Sequence, residues 1–367
     1  MKVPFSYLER QFADVDAYLE EIRSVVTQGD FTLGRAVSEF ESRFADISGI
    51  EHAVSVGSGT DAIALSLHAL GIGPGDEVIT AANTFIATVG AIVQLHARPV
   101  FVDSEDGFVI DCNKIEAAIT PRTRAIVPVH YTGNLADMPR VMELARLHDL
   151  VVVEDACQAI GGTLGDKPAG TWGAAAAFSL HPLKNLNVWG DAGVIVTRSV
   201  QLAARLRLLR NHGLVNRDEV VMYGWNSRLD TIQAAVGNRL IGETAFITSR
   251  RIDVAARYDA AFADVTGISV PRRRPGVKHV YHLYVLRVER RDELVAYLHE
   301  AGIEAKIHYP VPMHLQPAAR ELGYREGDFP VAEADARSVI TLPAHQHLSD
   351  EEVDYTIEKT RAFFNEF

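Results

Sequence analysis

One stretch, residues 151–193, decides the fold of this chain: VVVEDACQAIGGTLGDKPAGTWGAAAAFSLHPLKNLNVWGDAG. The apolar run Leu150–Val153 at its start predicts a fully buried strand. Glu154 and Asp155 follow at the carboxyl end of that strand, where open α/β sheets place their ligands. A carboxylate that ends so apolar a run has to be hydrogen-bonded or paired with a cation. Asp155 is therefore the first candidate site residue.

The second half of the stretch presents a lysine. A buried strand over 174–178 leads into a loop that carries Lys184, with no acid nearer in sequence than Asp191. A lysine kept from solvent loses its proton more readily and can act as an amine nucleophile. The alternative is a solvent-facing loop lysine, as most lysines are. Pyridoxal phosphate needs an acid at its ring nitrogen and a lysine for its aldehyde, so Asp155 and Lys184 together predict that cofactor.

Composition narrows the class of protein. Of the 367 residues 47% are hydrophobic and 23% charged, which is typical of a globular protein with an ample core. The formal net charge of −12 argues against nucleic acid or an anionic membrane as the main partner. No window approaches the length of a membrane span. The two cysteines, Cys112 and Cys157, form neither a disulfide framework nor a metal-binding spacing, so we expect no metal and a cytoplasmic location.

Strand and helix patterns alternate along most of the chain, after two helices within residues 1–50. This alternation predicts a largely parallel sheet covered on both faces. A long helix from Leu229 to about Arg257, broken or bent near Gly242, joins a large domain over 1–245 to a smaller α/β domain over 246–367. The predicted strands lie near 52–56, 77–80, 99–102, 124–129, 150–153, 282–288 and 305–307, and the predicted helices near 60–70, 84–95, 113–118, 137–148, 291–301 and 349–363.

A glycine-containing turn follows the first of these strands. Gly57 and Gly59 let the backbone approach a ligand closely, and Gly59 and Thr60 begin a helix. The free amides and the dipole of that terminus favour a phosphate, and the Thr60 hydroxyl adds a donor. An ordinary helix start capped by Ser58 or Thr60 explains the same residues. The turn is neither a Walker loop nor a dinucleotide fingerprint.

Further candidates end other strands at the same edge of the sheet. Phe85 falls in the first turn of a helix, where its ring could stack on a planar cofactor, although a core phenylalanine is the plainer interpretation. His130 could bind cofactor or substrate, or be a structural histidine. Gln158 is placed to bond the cofactor's phenolic oxygen, and Ser179 adds a hydroxyl for the phosphate. His181 flanks the lysine and is a candidate to orient the substrate.

With these residues assembled, the chain resembles the DegT/DnrJ/EryC1/StrS sugar aminotransferases, a branch of the fold type I pyridoxal-phosphate enzymes. The similarity runs from Pro4 almost to the C-terminus, and several motifs in order are far more specific than any one of them. The matching segments are GSGTDAIALSL (57–67), TFIAT (84–88), EDACQAIGG (154–162), FSLHPLKNL (178–186), GDAGVIVT (190–197), GWNSRLDTIQAAVG (224–237) and HYPVPMHLQP (308–317).

The resemblance implies a mostly parallel seven-stranded sheet in the large domain and assigns most of the cofactor contacts. Lys184 is implied as the Schiff-base lysine, Asp155 as the partner of the pyridine nitrogen and Gln158 as the neighbour of the ring oxygen. It also implies a homodimer with shared active sites, in which Asn226 reaches the partner's phosphate. The remaining implied contacts are Gly59, Thr60 and Ser179 on the phosphate and Phe85 on the ring.

The activity that the resemblance implies is amino transfer from an amino acid, L-glutamate being expected, to a keto group of a nucleotide-linked deoxysugar. His181 and Trp189 depart from commoner members of the family and are candidates for the sugar pocket, as are His308 and Tyr309. Two alternatives stay open. Sugar dehydratases use the same cofactor but carry histidine where this chain has Lys184, and a non-catalytic regulatory relative would keep the fold for binding alone.

Overall fold

A seven-stranded sheet forms the centre of the computed structural model, which describes residues 1–366. The strands are β1 (His52–Val56), β2 (Glu77–Ala81), β3 (Arg98–Val102), β4 (Thr123–Val127), β5 (Val151–Asp155), β6 (Thr163–Leu164), β7 (Lys167–Pro168), β8 (Ala175–Ser179), β9 (Gly193–Thr197), β10 (Ile268–Ser269), β11 (Val277–Lys278), β12 (Tyr284–Val288) and β13 (Val339–Leu342). In the central sheet they lie in the order β1-β9-β8-β5-β4-β2-β3, and β9 runs antiparallel to both of its neighbours. The predicted, mostly parallel sheet is confirmed.

Helices cover both faces of this sheet. They are α1 (Leu8–Gln11), α2 (Val15–Gln28), α3 (Arg35–Ser48), α4 (Gly59–Ala69), α5 (Ile86–Gln94), α6 (Cys112–Ile115), α7 (Met138–Leu147), α8 (Val200–Leu209), α9 (Thr231–Leu240), α10 (Thr244–Phe262), α11 (Arg291–Glu300), α12 (Pro330–Ser338) and α13 (Asp350–Glu366). Side chains of β8 alternate between the two layers, since Ala177 packs with α4 and α8 while Phe178 packs with α3 and α9. Because helices shield both faces of the sheet, the strands carry apolar side chains on both of their sides.

The predicted long helix after Leu229, which the sequence indicates is broken or bent near Gly242, is broken there into two helices. Helices α9 and α10 follow each other through a 3-10 turn, Ile241–Glu243, which contains Gly242. Beyond α10, a second sheet of order β10-β12-β13 packs with α11 and α13 around its own apolar core. This arrangement is compatible with the domain boundary near residue 245, which stays a prediction.

Two details differ from the sequence-based expectations. The N-terminal Val3 packs into the core of the C-terminal part and pairs with Ile303. The first residues therefore do not pack with the rest of the predicted large domain. The strand predicted over 305–307 is wrong, because only Lys306 pairs, in an isolated bridge to Thr341. A segment so short offers no alternation from which pairing can be judged. No helix within residues 1–366 is long and apolar enough to cross a membrane.

Candidate active site

The loops after β1, β2, β5 and β8 meet over one edge of the central sheet and enclose a cleft of about 330 Å³. The C-terminal part closes the cleft on the other side through His282, Leu283, His308 and Tyr309. Most of the predicted site residues line this cleft. They are Gly59, Thr60, Phe85, Asp155, Gln158, Ser179, His181, Lys184, His308 and Tyr309.

Lys184 is anchored by its backbone, and its amine forms no hydrogen bond or ion pair with any residue in the range 1–366. Its carbonyl accepts hydrogen bonds from the Tyr7 hydroxyl at 2.7 Å and from the Asn187 side-chain amide at 3.0 Å. Burial lowers the pKa of the Lys184 amine, although the Cys157 thiol and the Asp155 carboxylate oppose that shift. A rigid backbone and an amine of lowered pKa are the properties of a lysine nucleophile.

Asp155 is a buried carboxylate that forms no ion pair with any residue in the range 1–366. Its Oδ2 accepts a hydrogen bond from the Thr88 hydroxyl at 2.7 Å, and its Oδ1 accepts one from the Cys157 amide at 3.2 Å. The Thr88 hydroxyl is itself bonded to that of Thr84 at 2.7 Å. Burying a carboxylate without a cation is costly, so this site is suited to a ligand that brings a positive charge.

The start of α4 forms an anion-binding cradle. Ser58 is the helix cap, since its hydroxyl accepts a hydrogen bond from the Asp61 amide at 3.0 Å. The amides of Gly59 and Thr60 belong to the first turn and lie outside the hydrogen bonds of the helix. A side chain at Gly59 would place its Cβ 2.7 Å from the Cβ of Ser179, so the glycine keeps this space open. Amides, hydroxyls and the helix dipole together fit a phosphate.

The walls between cradle and lysine are suited to a planar ring. Phe85 caps α5 in extended backbone instead of lying in its first turn, and its ring is 47% exposed, with its centroid 5.7 Å from that of Tyr309. The Gln158 side-chain oxygen accepts a hydrogen bond from the Thr132 amide at 2.6 Å. That bond fixes the amide orientation and leaves the Gln158 NH₂ group as the donor. The residues present therefore fit pyridoxal phosphate.

Two histidines from different parts of the chain also line the cleft, His181 from the lysine loop and His308 from the C-terminal part. His308 bonds the Thr341 hydroxyl through Nδ1 at 2.9 Å, and burial lowers its pKa to about 4. His181 is exposed at the rim, and its Nδ1 accepts a hydrogen bond from the Leu183 amide. Burial is also the main cause that lowers the pKa of His181. Both rings are therefore neutral at pH 7 and can donate or accept hydrogen bonds.

His130 and Trp189 do not line the cleft, contrary to the expectation that they contact substrate. His130 is fully buried, with Nε2 on Glu154 at 2.9 Å and Nδ1 accepting from the Ala136 amide. The Trp189 ring packs on Phe12 and Tyr18, at centroid distances of 5.6 and 5.4 Å. His130 is therefore the structural histidine of the two alternatives, and Trp189 fastens the N-terminal helices to the lysine loop.

Asn226 is exposed and does not line the cleft of its own chain. The next residue ties this segment to α4, because the Ser227 hydroxyl accepts from the Gly57 amide at 3.0 Å and donates to Asp61 at 2.7 Å. Arg228 buttresses the loop by donating a hydrogen bond to the side-chain oxygen of Asn211 at 2.9 Å. The Asn226 side chain thus projects from a fixed backbone.

Sequence patterns missed two supporting residues. Thr88 holds Asp155 through a hydrogen bond. The sequence did contain a signal for this role, because Thr84 and Thr88 stand one helical turn apart and their hydroxyls bond each other. Tyr7 holds the Lys184 carbonyl from a position 177 residues away, which no local pattern reveals. Within residues 1–366 no group of three or more histidine, cysteine or acidic side chains is arranged to hold a metal ion.

Two curated relatives match this chain over nearly its whole length. A "pleiotropic regulatory protein" of Geobacillus stearothermophilus is 40% identical over 371 aligned residues, which cover 100% of both chains. The dTDP-3-amino-3,4,6-trideoxy-alpha-D-glucose transaminase of Streptomyces venezuelae is 42% identical, over 98% of this chain and 96% of that one. Names of both a regulator and an enzyme therefore occur among proteins of equal similarity.

Solved structures and the family model agree on the assignment. The crystal structure of S. venezuelae DesV in complex with a ketimine intermediate superimposes with a TM-score of 0.96 at 42% identity, covering 99% of this chain and 98% of that one. The model of the DegT/DnrJ/EryC1/StrS aminotransferase family matches residues 13–361. This chain belongs to the DegT/DnrJ/EryC1/StrS aminotransferase family.

Proposed function

We infer that this protein is a pyridoxal-phosphate-dependent aminotransferase that moves an amino group from an amino acid to the keto group of a nucleotide-linked sugar. One observation carries the inference. A lysine amine of lowered pKa and a buried, cation-free carboxylate, Lys184 and Asp155, lie in one cleft with the phosphate cradle at Gly59. When bound, the cofactor supplies an aldehyde that carries the amino group and a ring that withdraws electrons.

Side chains of the protein would bind the cofactor and transfer the protons. Gly59, Thr60 and Ser179 hold the phosphate, and Phe85 covers one face of the ring. Asp155 keeps the ring nitrogen protonated, and the Thr88 hydroxyl fixes the carboxylate that does so. Lys184 would hold the aldehyde of the bound cofactor. Its freed amine would act as general base and acid, carrying a proton between the cofactor and the substrate carbon that bears the amino group.

The sugar would enter from the side of the C-terminal part. His308 and Tyr309 line that side of the cleft, and His181 lines the cleft from the lysine loop; their ring nitrogens and hydroxyl suit the hydroxyl groups of a sugar. A neutral His308 hydrogen-bonds a sugar without attracting a counter-ion. Both cysteines are free, which is typical of proteins in a reducing compartment, and we propose that this protein is cytoplasmic.

The two alternatives are weaker. A dehydratase of this family would need another residue in place of Lys184, whose amine is present here and unbound. A regulator without catalysis would not need the amine of Lys184 together with the carboxylate of Asp155, and both are present in the cleft. The regulatory name of one relative therefore does not outweigh the intact site.

A direct test combines chemical trapping with turnover. Purified protein should be yellow, and borohydride should fix a pyridoxyl group on Lys184, as located by mass spectrometry. L-Glutamate and a panel of nucleotide-linked keto-sugars should give an amino sugar and 2-oxoglutarate, and Lys184→Ala should fold but not turn over. An adduct on Lys167 would disprove the lysine assignment, and a trapped adduct without turnover on any keto-sugar would disprove the substrate class.

A further inference from the structure

A small side cavity of about 70 Å³ lies beside the active-site cleft. Four residues line both spaces, namely Leu183, His282, Leu283 and His308. The Tyr7 hydroxyl, which holds the Lys184 carbonyl, belongs to a residue of the same cavity wall. The side cavity and the active-site cleft therefore adjoin at these residues.

The cavity contains a buried cation without a counter-charge. Arg251 is 2% exposed and forms no salt bridge with any carboxylate in the described range 1–366. Its Nε donates to Gln346, and its Nη1 donates to the carbonyls of Tyr281, His282 and Ala344 at 3.0–3.3 Å. Its Nη2 has no hydrogen-bond partner among residues 1–366, and the guanidinium carbon lies 5.2 Å from the centroid of the Tyr7 ring. Burial lowers the pKa of the Arg251 guanidinium, which an anion at this position would reverse.

A second donor stands next to the guanidinium. His282 Nδ1 is buried without a partner, and burial keeps the pKa of this ring well below its usual range, so the imidazole is neutral. A neutral imidazole with its proton on Nδ1 donates one hydrogen bond. His345 donates through Nε2 to the Pro4 carbonyl, which leaves its Nδ1 as an acceptor for water. Arg251, and His282 in its Nδ1–H tautomer, thus offer donors to a ligand in this cavity, and His345 lines the same space.

The charges of the two cavities favour one kind of ligand. Among all the residues that line them, Lys184 and Arg251 are the only lysine or arginine. An amino-acid donor brings its amine to the cofactor at Lys184 and must place a carboxylate a few ångströms away. A guanidinium binds a carboxylate by charge-assisted hydrogen bonds, and these are strong where water is excluded.

We propose that Arg251, assisted by His282, binds a carboxylate of the amino-acid donor, so that the side cavity selects the donor. This rests on the proposed function, since it presupposes an amino-acid donor. It predicts that the side cavity recognises the donor's carboxylate, and that His181 and Tyr309, which line the cleft but not the side cavity, recognise the sugar, whereas His308 lines both spaces. Losing Arg251 should therefore affect one half-reaction and spare the other.

The first arm of the test needs no variant. Calorimetry on the wild-type holoenzyme should detect glutarate, which has no amine and cannot react, binding at least tenfold more tightly than its neutral diamide, glutaramide. The affinities of the glutamate α-amide and of glutamine, which is the γ-amide, are then compared. The amide that binds more weakly identifies the carboxylate that occupies the cavity. Equal binding of glutarate and glutaramide would overturn the proposal.

The second arm uses Arg251→Met and Arg251→Lys, with Arg250→Met as the matched control. Arg250 is the adjacent residue and pairs with Asp350 at the surface. Arg251→Met should weaken glutarate binding about 10- to 100-fold and raise KM for glutamate similarly, with Arg251→Lys between it and wild type. KM for the keto-sugar and the kinetics of the control should not change.

Several outcomes would overturn the proposal and leave the proposed function intact. Wild-type glutarate affinity in a folded Arg251→Met protein, or equal losses in both half-reactions, would make Arg251 a structural residue only. Should the arginine variants not fold, His282→Phe replaces them, and unchanged glutarate binding in that variant contradicts the donor site. Failure of the proposed function looks different, because the wild-type protein itself would then not react with glutamate.

Discussion

Two hydrogen bonds hold the Asp155 carboxylate, and each fixes a different oxygen. Thr88 occupies Oδ2 and the Cys157 amide occupies Oδ1, so the carboxyl group cannot rotate toward the core. Thr88→Val removes the hydroxyl at nearly constant volume. We expect kcat to fall about tenfold with little change in KM, because a carboxylate without its orienting partner stabilises the ring nitrogen less well.

The measurement pairs steady-state kinetics with the absorption spectrum of the bound cofactor, which should shift if the ring nitrogen is less protonated. Thr360→Val is the matched control, since Thr360 is a buried threonine that bonds a helix carbonyl far from the cleft. A Thr88→Val enzyme with wild-type kcat and spectrum would show that Cys157 alone suffices to place Asp155.

Gly59 is required for space, not for an unusual backbone angle. An added Cβ would lie 2.7 Å from the Ser179 Cβ and 3.1 Å from the Cys157 sulfur. Gly59→Ala should therefore lower the affinity for pyridoxal phosphate at least tenfold, as measured by equilibrium titration of the cofactor-free protein. Gly73→Ala is the control, because nothing lies within 4 Å of a Cβ there. Equal affinities in the two variants would contradict the cradle.

At the scale of elements, a carboxylate holds together the segments beneath the site. Glu154 accepts hydrogen bonds from the amides of Gly170, Trp172 and Gly173 at 2.7–2.9 Å and also contacts His130. It thereby fastens the turn that precedes β8, the strand that leads to Lys184. The two adjacent acids thus have different roles, Glu154 in the fold and Asp155 in the chemistry.

Glu154→Gln tests this division. The amide has one acceptor oxygen instead of two, so its NH₂ group would meet backbone donors, and we expect the free energy of unfolding to fall by about 2–4 kcal/mol. Urea titration measures the loss, and Glu143→Gln is the control, because Glu143 forms an exposed pair with Arg140. If Glu154→Gln lowered the free energy of unfolding by less than Glu143→Gln does, water would be satisfying the backbone amides in place of the carboxylate.

The strands and the loops that bear Asp155 and Lys184 were predictable from the sequence, since buried runs followed by polar residues mark where strands end. The direction of a side chain at such an end was not. His130 follows β4 just as Asp155 ends β5, yet it turns beneath the sheet edge to Glu154. Arg251 was not singled out, because its burial depends on segments 30 to 95 residues away.

At the scale of the whole molecule, neutral buried histidines link stability to pH. Burial lowers the pKa of His308 to about 4 and that of His345 to about 3. Between those values and the unfolded value of about 6.5, the unfolded chain binds more protons, so stability falls as pH falls. At about pH 5 each histidine should lower the free energy of unfolding by up to about 2 kcal/mol.

Urea unfolding of the wild-type protein at about pH 7.5 and about pH 5 measures this loss. His308→Gln and His345→Gln should each reduce the difference between the two conditions, whereas His96→Asn, at an exposed histidine, should not. The same pH dependence in all four proteins would place the acid sensitivity in other groups.

At the scale of the assembly, we predict a homodimer in which each active site uses residues of both chains. The segment before α9 exposes an apolar surface, with Tyr223 96% and Trp225 42% exposed, and beside it Val220 and Val221. Asn226 projects from this segment, whereas its neighbour Ser227 is fixed to α4. A second copy covering this surface could receive the Asn226 amide at its phosphate cradle.

Complementation of inactive variants tests the shared site. In a mixed dimer of Lys184→Ala with Asn226→Asp, one site would hold both defects and the other neither, so statistical exchange should restore about a quarter of the sites. Lys184→Ala mixed with Asp155→Asn is the matched control and should stay inactive, because both residues line the cleft of one chain. Activity of the first mixture only, with subunit exchange verified by mass, means that Asn226 acts across the interface. An inactive first mixture, despite exchange, means that each chain completes its own site.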